Sequence, residues 1–385
     1  MKSPRTGRTA GESPAPPSVV GQAVRPPSPA KLPKGGVKPR PAVLAMEPYS
    51  PPTGDRADKL RLDFNENTVG CSPRVVAALK ERISAGRLAI YPDYVEAKQA
   101  IARYYEVAPE QFTFTNGTDE AIQILVNTYV DDGQEVLLLK PTYAMFRFYC
   151  EVAGAKIREV EYPRPGVEFP LQAVLDAITP ATRAVLVANP NNPTGTGISL
   201  TAIERILRRA RRAVVLVDEA YYEFSGVTAL GEIGRVPNLF VSRTFSKVFG
   251  MAAMRLGCLF SHPANVAYLR KAQSPYSVNA LAVMAAQAAV ADEEYIRNYV
   301  AEVLAAREVL CLGLERLGIP YIPSSANFVL AHFGKRAIEV RDALRERAIL
   351  VRDRSYEIRG AVRITVGTRR QTRELMAALE TIWRR

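Results

Sequence analysis

Short, largely apolar runs recur along the chain at residues 111–114, 135–139, 156–161, 183–188, 213–217, 238–242 and 255–260. Between them the apolar positions step at helical spacing or give way to polar loops. Runs of this length suit strands, and their alternation with helices predicts an α/β fold with a mainly parallel seven-stranded sheet covered by helices. In such sheets chemistry gathers at the carboxyl ends of the strands, where Asp218 and the loop holding Lys247 fall. Upstream, Ser72-Pro73 reads as an N-cap followed by proline at the first helical position, with helical spacing to Ile83 and Gly86 as the expected stop. A long apolar helical region is expected from 279 to 317. Beyond it, strands at 327–331, 349–352 and 361–365 alternate with helices at 335–347 and 370–383, the pattern of a second, smaller α/β domain.

Residues 1–45 break this pattern. They are rich in Pro, Gly, Ser and basic residues, and bury too little apolar surface to offset ordering entropy, which predicts a disordered extension. The chain has 385 residues and a formal charge of +12, of which +7 lies in that extension. The remainder is only mildly basic, so charge gives no argument for a nucleic-acid partner. Translation starting at Met46, where the globular pattern begins, is a further expectation. Four dispersed cysteines and two histidines support neither a metal cluster nor a disulfide framework, and leave little for histidine-based nucleophilic machinery. With no apolar run long enough to span a membrane and no signal-like segment, a reduced, cytoplasmic setting is expected.

The chemistry concentrates in four places. Lys247, in Arg243-Thr-Phe-Ser-Lys-Val-Phe-Gly, would form an imine with an aldehyde if its amine were neutral, and Arg243 and Arg255 are cationic neighbours in sequence that promote neutrality. Taken alone it reads as an ordinary solvated lysine. Asp218 ends the apolar run Ala213–Val217, where a buried carboxylate would keep a pyridine nitrogen protonated, or would simply cap the next turn. Asn192 and Tyr221 are donors for a phenolic oxygen, although Asn-Pro is also a turn dipeptide. The segment from Phe112 through Gly117, Thr118 and Asp119 runs from strand to helix. It offers backbone N–H groups to a phosphate, or an ordinary acidic first turn. Thr244, Ser246 and Arg255 would complete a phosphate site by hydroxyl and charge-assisted bonds, and Tyr143 suits either ring stacking or a core. Near the C-terminus Arg352 and Arg363 flank strands, and their forks suit a fixed anionic group.

Nine segments in order, from Leu62-Asp-Phe-Asn-Glu-Asn67 through Tyr91-Pro-Asp93, Asn116–Glu120, Pro141–Tyr143, Asn189–Gly195, Asp218–Tyr221, Arg243–Arg255 and Ser325–Phe328 to Arg363–Thr368, give the chain its family. It resembles the fold-type-I, pyridoxal-phosphate (PLP)-dependent aminotransferases of class I/II, and within them the histidinol-phosphate aminotransferases. The resemblance implies an arm at 46–75 packing with the small domain, a large PLP-binding domain at 76–280 and a small domain at 281–385. It implies Lys247 as the cofactor-bearing lysine and proton shuttle, Asp218 at the ring nitrogen, Asn192 and Tyr221 at the phenolic oxygen, and Tyr143 on the ring. The phosphate would be held by Gly117, Thr118, Asp119, Thr244, Ser246 and Arg255, with Tyr91 reaching the neighbouring subunit of a homodimer. Arg352 and Arg363 would bind the substrate phosphate and the carboxylates of glutamate and 2-oxoglutarate. The family usually has tyrosine where this chain has Val69. That departure keeps open an aromatic or broad-specificity aminotransferase, with a phosphothreonine decarboxylase or a regulator built on the same domain as further readings.

Overall fold

The computed structural model describes residues 37–47, 56–163 and 168–384. Most of the expected disordered extension, 1–36, lies outside them; within 37–47, Pro41–Leu44 form one helical turn with no buried residue.

Among the described residues twelve strands form two sheets: β1 Leu60–Leu62, β2 Phe112–Thr115, β3 Glu135–Lys140, β4 Lys156–Glu161, β5 Thr182–Ala188, β6 Val214–Asp218, β7 Leu239–Thr244, β8 Gly257–Ser261, β9 Tyr321–Ile322, β10 Phe328–His332, β11 Ile349–Asp353 and β12 Ala361–Thr365. The large sheet has the order β2-β8-β7-β6-β5-β3-β4. All its pairings are parallel except those of β8, which runs antiparallel to β2 and β7. Its central strands are apolar on both faces because both are covered. Val185, Val187, Val215 and Val217 enter one core, while Ala184, Leu186, Val214 and Leu216 enter the other. Helix Gly117–Tyr129 covers the second face through Ala121, Ile122 and Leu125.

The smaller sheet is β1-β11-β12-β10-β9, in which β1, from the N-terminal arm, pairs in parallel with β11 and every other pairing is antiparallel. β1 and β9 are three and two residues long, too short to leave a periodic signal in the sequence.

Two helix expectations are corrected. Ser72 caps Pro73–Arg82 as read, its Oγ accepting from the Arg74 backbone at 3.1 Å, but the helix stops at Ile83 and not at Gly86. Ser84 then caps a second short helix, Ala85–Leu88, whose interior contains Gly86. The single helical region expected at 279–317 is two helices, Ala280–Val290 and Glu293–Arg316. The break falls at Ala291-Asp292, where the nearly buried Asp292 accepts a hydrogen bond from the Ser72 hydroxyl. The cap of one helix thus contacts the interruption of another.

Candidate active site

The two sheets meet around a cavity of about 250 Å³. Asp218 closes β6, Ala188 closes β5 and Thr244 closes β7, so one wall is the carboxyl edge of the large sheet, where polar side chains follow the buried apolar run of each strand. The facing wall comes from the arm, Phe64–Glu66, and from the β11–β12 edge, Arg352, Arg354 and Arg363.

Lys247 lies between these walls. Its Nζ donates to the Phe64 carbonyl at 3.1 Å, and the Tyr221 ring lies 5.7 Å away. Enclosure by protein, reinforced by Arg363 and more weakly by Arg255, lowers its amine to about 8. One cation expected to do this does not. Arg243 points into the core, donating to Glu219 at 2.8 Å and to Thr228 at 2.8 Å and stacking 3.6 Å from the Tyr222 ring. A charge four residues away in sequence is pre-empted by a buried carboxylate, while Arg363, 116 residues away along the chain, takes its place.

Asp218 is buried, and desolvation raises its carboxyl to about 7 despite the Ser242 hydroxyl donating to Oδ1 at 2.8 Å. Asn192 and Tyr221 stand together, Asn192 Nδ2 donating to the phenolic oxygen at 3.3 Å; Asn65 Nδ2 donates to the same oxygen at 3.0 Å. Asn65 has φ 56° and is gripped by Thr365 and Asn327, which ties the arm to the small sheet. Arg363 crosses the gap. Its Nη1 donates to Asn192 Oδ1 at 2.6 Å and its Nη2 to the Asp63 carbonyl at 2.7 Å.

At the other end of the cavity the helix starting at Gly117 presents its N-terminus, and Asn116 makes no side-chain capping bond to it. Thr118, Asp119, Thr244, Ser246 and Arg255 line this end. Asp119 accepts from the Tyr143 hydroxyl at 2.8 Å and from Arg255 Nη2 at 3.0 Å. Gly117 has φ +72°, and a Cβ there would lie 2.7 Å from Arg255 Nη2, so the close approach of Arg255 to the helix start requires glycine.

Of the sequence-derived site residues, Lys247, Asp218, Tyr221, Thr118, Asp119, Tyr143, Asn192, Thr244, Ser246, Arg255, Arg352 and Arg363 line the cavity, with Gly117 against Arg255. Tyr91 does not: it is 76% exposed and stacks on Tyr276 at 4.4 Å. Val69 is exposed and outside the cavity wall. Phe64, Asn65, Glu66 and Arg354 also line it, and sequence reasoning assigned them no role. The alternation Arg352-Asp-Arg354 was a usable signal, since residues two apart in an extended strand share a face. Asn65 stands in the Leu62–Asn67 segment, but nothing local to it points to the Tyr221 oxygen, 156 residues away.

The description "Aminotransferase class I and II" matches residues 57–379 of the chain. The histidinol-phosphate aminotransferase of Symbiobacterium thermophilum is 36% identical over 355 residues, spanning 89% of this chain and 97% of that one. That of Roseiflexus castenholzii is 36% identical over 365 residues, covering 89% and 97%. Among solved structures, the Sinorhizobium meliloti histidinol-phosphate aminotransferase in complex with pyridoxal-5'-phosphate superposes with TM-score 0.78 at 24% identity, covering 89% of this chain and 97% of that chain, a likeness of fold. Thermus thermophilus aspartate aminotransferase with maleate gives TM-score 0.72 at 25% identity, covering 84% and 92%.

Proposed function

Because the chain belongs to the class I and II aminotransferase family, we propose that it is a PLP-dependent aminotransferase that moves the amino group of histidinol phosphate to 2-oxoglutarate, yielding imidazole acetol phosphate and glutamate. The observation that carries the reading is an amine held near neutrality, Lys247 at about 8, in one cavity with a buried carboxylate and an open helix N-terminus.

The donor set fits the cofactor. Burial raises the Asp218 carboxyl, and a protonated ring nitrogen beside it would offset that desolvation. The uncapped N–H groups after Asn116, the Thr244 and Ser246 hydroxyls and the Arg255 guanidinium, with Gly117, Thr118 and Asp119 in the first turn, are a phosphate's complement. Asn192 and Tyr221 would hold the phenolic oxygen and Tyr143 would cover the ring. When bound, PLP supplies an aldehyde that condenses with amines and a ring that accepts an electron pair.

The chain's own residues do the rest. Lys247 Nζ, whose neutral fraction grows as pH rises through about 8, would accept the proton from the substrate carbon and return it two atoms further along. Asp218 would stay ionised opposite the ring nitrogen and so keep the proton on that nitrogen. Arg352 and Arg363 orient the substrate by its anionic end, the phosphate in one half of the cycle and the distal carboxylate of glutamate in the other. The arm segment 64–66 and the small sheet close the cavity over the amine and exclude water.

The reading includes a homodimer in which Tyr91 serves the partner's cofactor phosphate. Its support is an exposed apolar strip at 83–95 and 276, including Ile83, Leu88, Ile90, Tyr91, Val95 and Tyr276. It also includes a cytoplasmic setting, as expected of a biosynthetic aminotransferase. Among the described residues the cysteines form no disulfide, no group of side chains could hold a metal, and no helix is long and apolar enough to cross a membrane.

The test is a single-turnover half-reaction, following the cofactor's visible absorbance after mixing with histidinol phosphate, phenylalanine, tyrosine, aspartate or phosphothreonine. Fast conversion by histidinol phosphate alone is expected. Equal or faster reaction with the aromatic amino acids would replace the substrate assignment by an aromatic or broad-specificity aminotransferase, the alternative that Val69 favours.

A further inference from the structure

The small-sheet end of the cavity holds more positive charge than the two arginines read from the sequence. Arg352 and Arg363 stand directly opposite one another in the antiparallel β11–β12 pair. Arg354 follows two residues after Arg352, its backbone N–H bonded to the Ala361 carbonyl at 2.9 Å, and its side chain lines the same cavity. Three like charges gathered on one sheet edge repel, and such an arrangement persists only where something compensates it.

Within the protein the compensation is incomplete. Glu357 accepts from Arg354 Nη2 at 2.5 Å, and the Tyr356 hydroxyl accepts from Nη1 at 2.7 Å. Arg363 is bonded only to neutral oxygens, those of Asn192 and Asp63. Arg352 packs 5.4 Å from the Phe64 ring and has no carboxylate partner among the described residues. Glu66, another carboxylate on the cavity wall, is engaged by Arg56 and Arg61. Arg354 Nε and Arg363 Nε are both buried without an acceptor. Three guanidinium groups therefore face one carboxylate, leaving two charges and spare donors.

We propose that Arg354, held in place by Glu357 and Tyr356, is a third guanidinium of the anion subsite formed with Arg352 and Arg363, and that it sets the subsite's preference for a group with two negative charges over a carboxylate. This rests on the proposed binding of the substrate's anionic end at Arg352 and Arg363. A phosphate monoester, with a second ionisation near pH 6, carries close to two charges at neutral pH and presents three acceptor oxygens. A carboxylate carries one charge and two oxygens, so removing one guanidinium costs it less. Glu357 acts in the opposite sense, as the single negative charge that keeps the subsite from being too positive to release its ligand.

The experiment uses the holoenzyme and two inert probes of matched length, propyl phosphate and butanoate, as inhibitors of the half-reaction with whichever amino donor the wild type converts. In Arg354→Gln, inhibition by propyl phosphate should weaken about 10- to 100-fold, the size of a lost charge-assisted contact, while inhibition by butanoate changes less than about threefold. Arg354→Lys should recover part of the phosphate affinity. Glu357→Gln should tighten propyl phosphate several-fold, and it decides the matter should Arg354→Gln fail to fold. Equal changes for the two probes in Arg354→Gln, or unchanged or weaker phosphate inhibition in Glu357→Gln, would overturn the proposal. Failure of the parent reading is seen separately: a wild type that ignores histidinol phosphate yet discriminates the probes as stated loses its substrate assignment and keeps this subsite.

Discussion

Lys247 and Arg363 show how a single group's chemistry is set by neighbours that the chain order does not reveal. A solvated lysine amine is neutral only near pH 10.4 and above, whereas here burial first, and then the Arg363 guanidinium, bring it to about 8. The sign is that of a base whose charged form is disfavoured: the neutral, nucleophilic amine gains as pH rises through the lowered value. The rate at which apoenzyme takes up PLP should accordingly rise with a midpoint near pH 8 and level off above it. In Arg363→Gln that midpoint should move upward, because one of the charges opposing protonation is gone. Stopped-flow reconstitution across pH 6.5–10 reads both; an unmoved midpoint in the variant would show that Arg363 does not act on the amine. Arg243, the expected neighbour, is spent on Glu219 in the core.

Among the elements, the helix starting at Gly117 is the one whose local construction matters most for the site. It follows β2 after one residue, begins without a side-chain cap, and admits Arg255 against its first turn only because residue 117 lacks a Cβ. Arg255 itself sits at φ 54°, a conformation that costs on the order of 1 kcal/mol or more for a non-glycine residue. Gly117→Ala should push the guanidinium away and strain the turn, weakening PLP binding at least about tenfold, about 1.4 kcal/mol, with the far-ultraviolet circular dichroism unchanged. Equilibrium titration of apoenzyme with PLP measures it, and wild-type affinity in the variant would refute the role assigned to this helix start. Strand and helix positions here were legible from the sequence because apolar runs and their spacing follow from burial on both faces of the sheet. The helix ends at Ile83 and Asp292 were not, since a second cap at Ser84 and the Ser72–Asp292 contact are side-chain choices that leave no periodic trace.

For the whole molecule, the decisive arrangement is three separated stretches of chain closing on one cavity. The arm contributes the Phe64 carbonyl and Asn65, the small sheet contributes Arg352, Arg354 and Arg363, and the large sheet contributes the rest. Two further stretches face outward together, joined by the Tyr91–Tyr276 stack among exposed apolar residues. If Tyr91 completes the site of a second copy, mixing two defective proteins should restore activity. Lys247→Ala has no working site, and Tyr91→Ala has a weakened one, but the hybrid holds one site with Lys247 from one protomer and Tyr91 from the other. Co-refolded mixtures should exceed the activity of Tyr91→Ala alone at subsaturating PLP. Simple dilution of activity in proportion to the inactive protein would argue against a shared site.

The sequence by itself determined the α/β class, ten of the twelve strands among the described residues, and most of the polar side chains that line the cavity, because those features depend on local apolar spacing and on motifs whose residues stand within a few positions of one another. Tertiary structure alone decided which cation lowers Lys247, that Asn65 joins Asn192 at the Tyr221 oxygen, and that Arg363 meets only neutral oxygens beside Arg352 and Arg354. The physical reason is range. Burial preference and helix or strand periodicity act over a few residues, whereas desolvation and charge act through space, between groups that only the folded chain brings together.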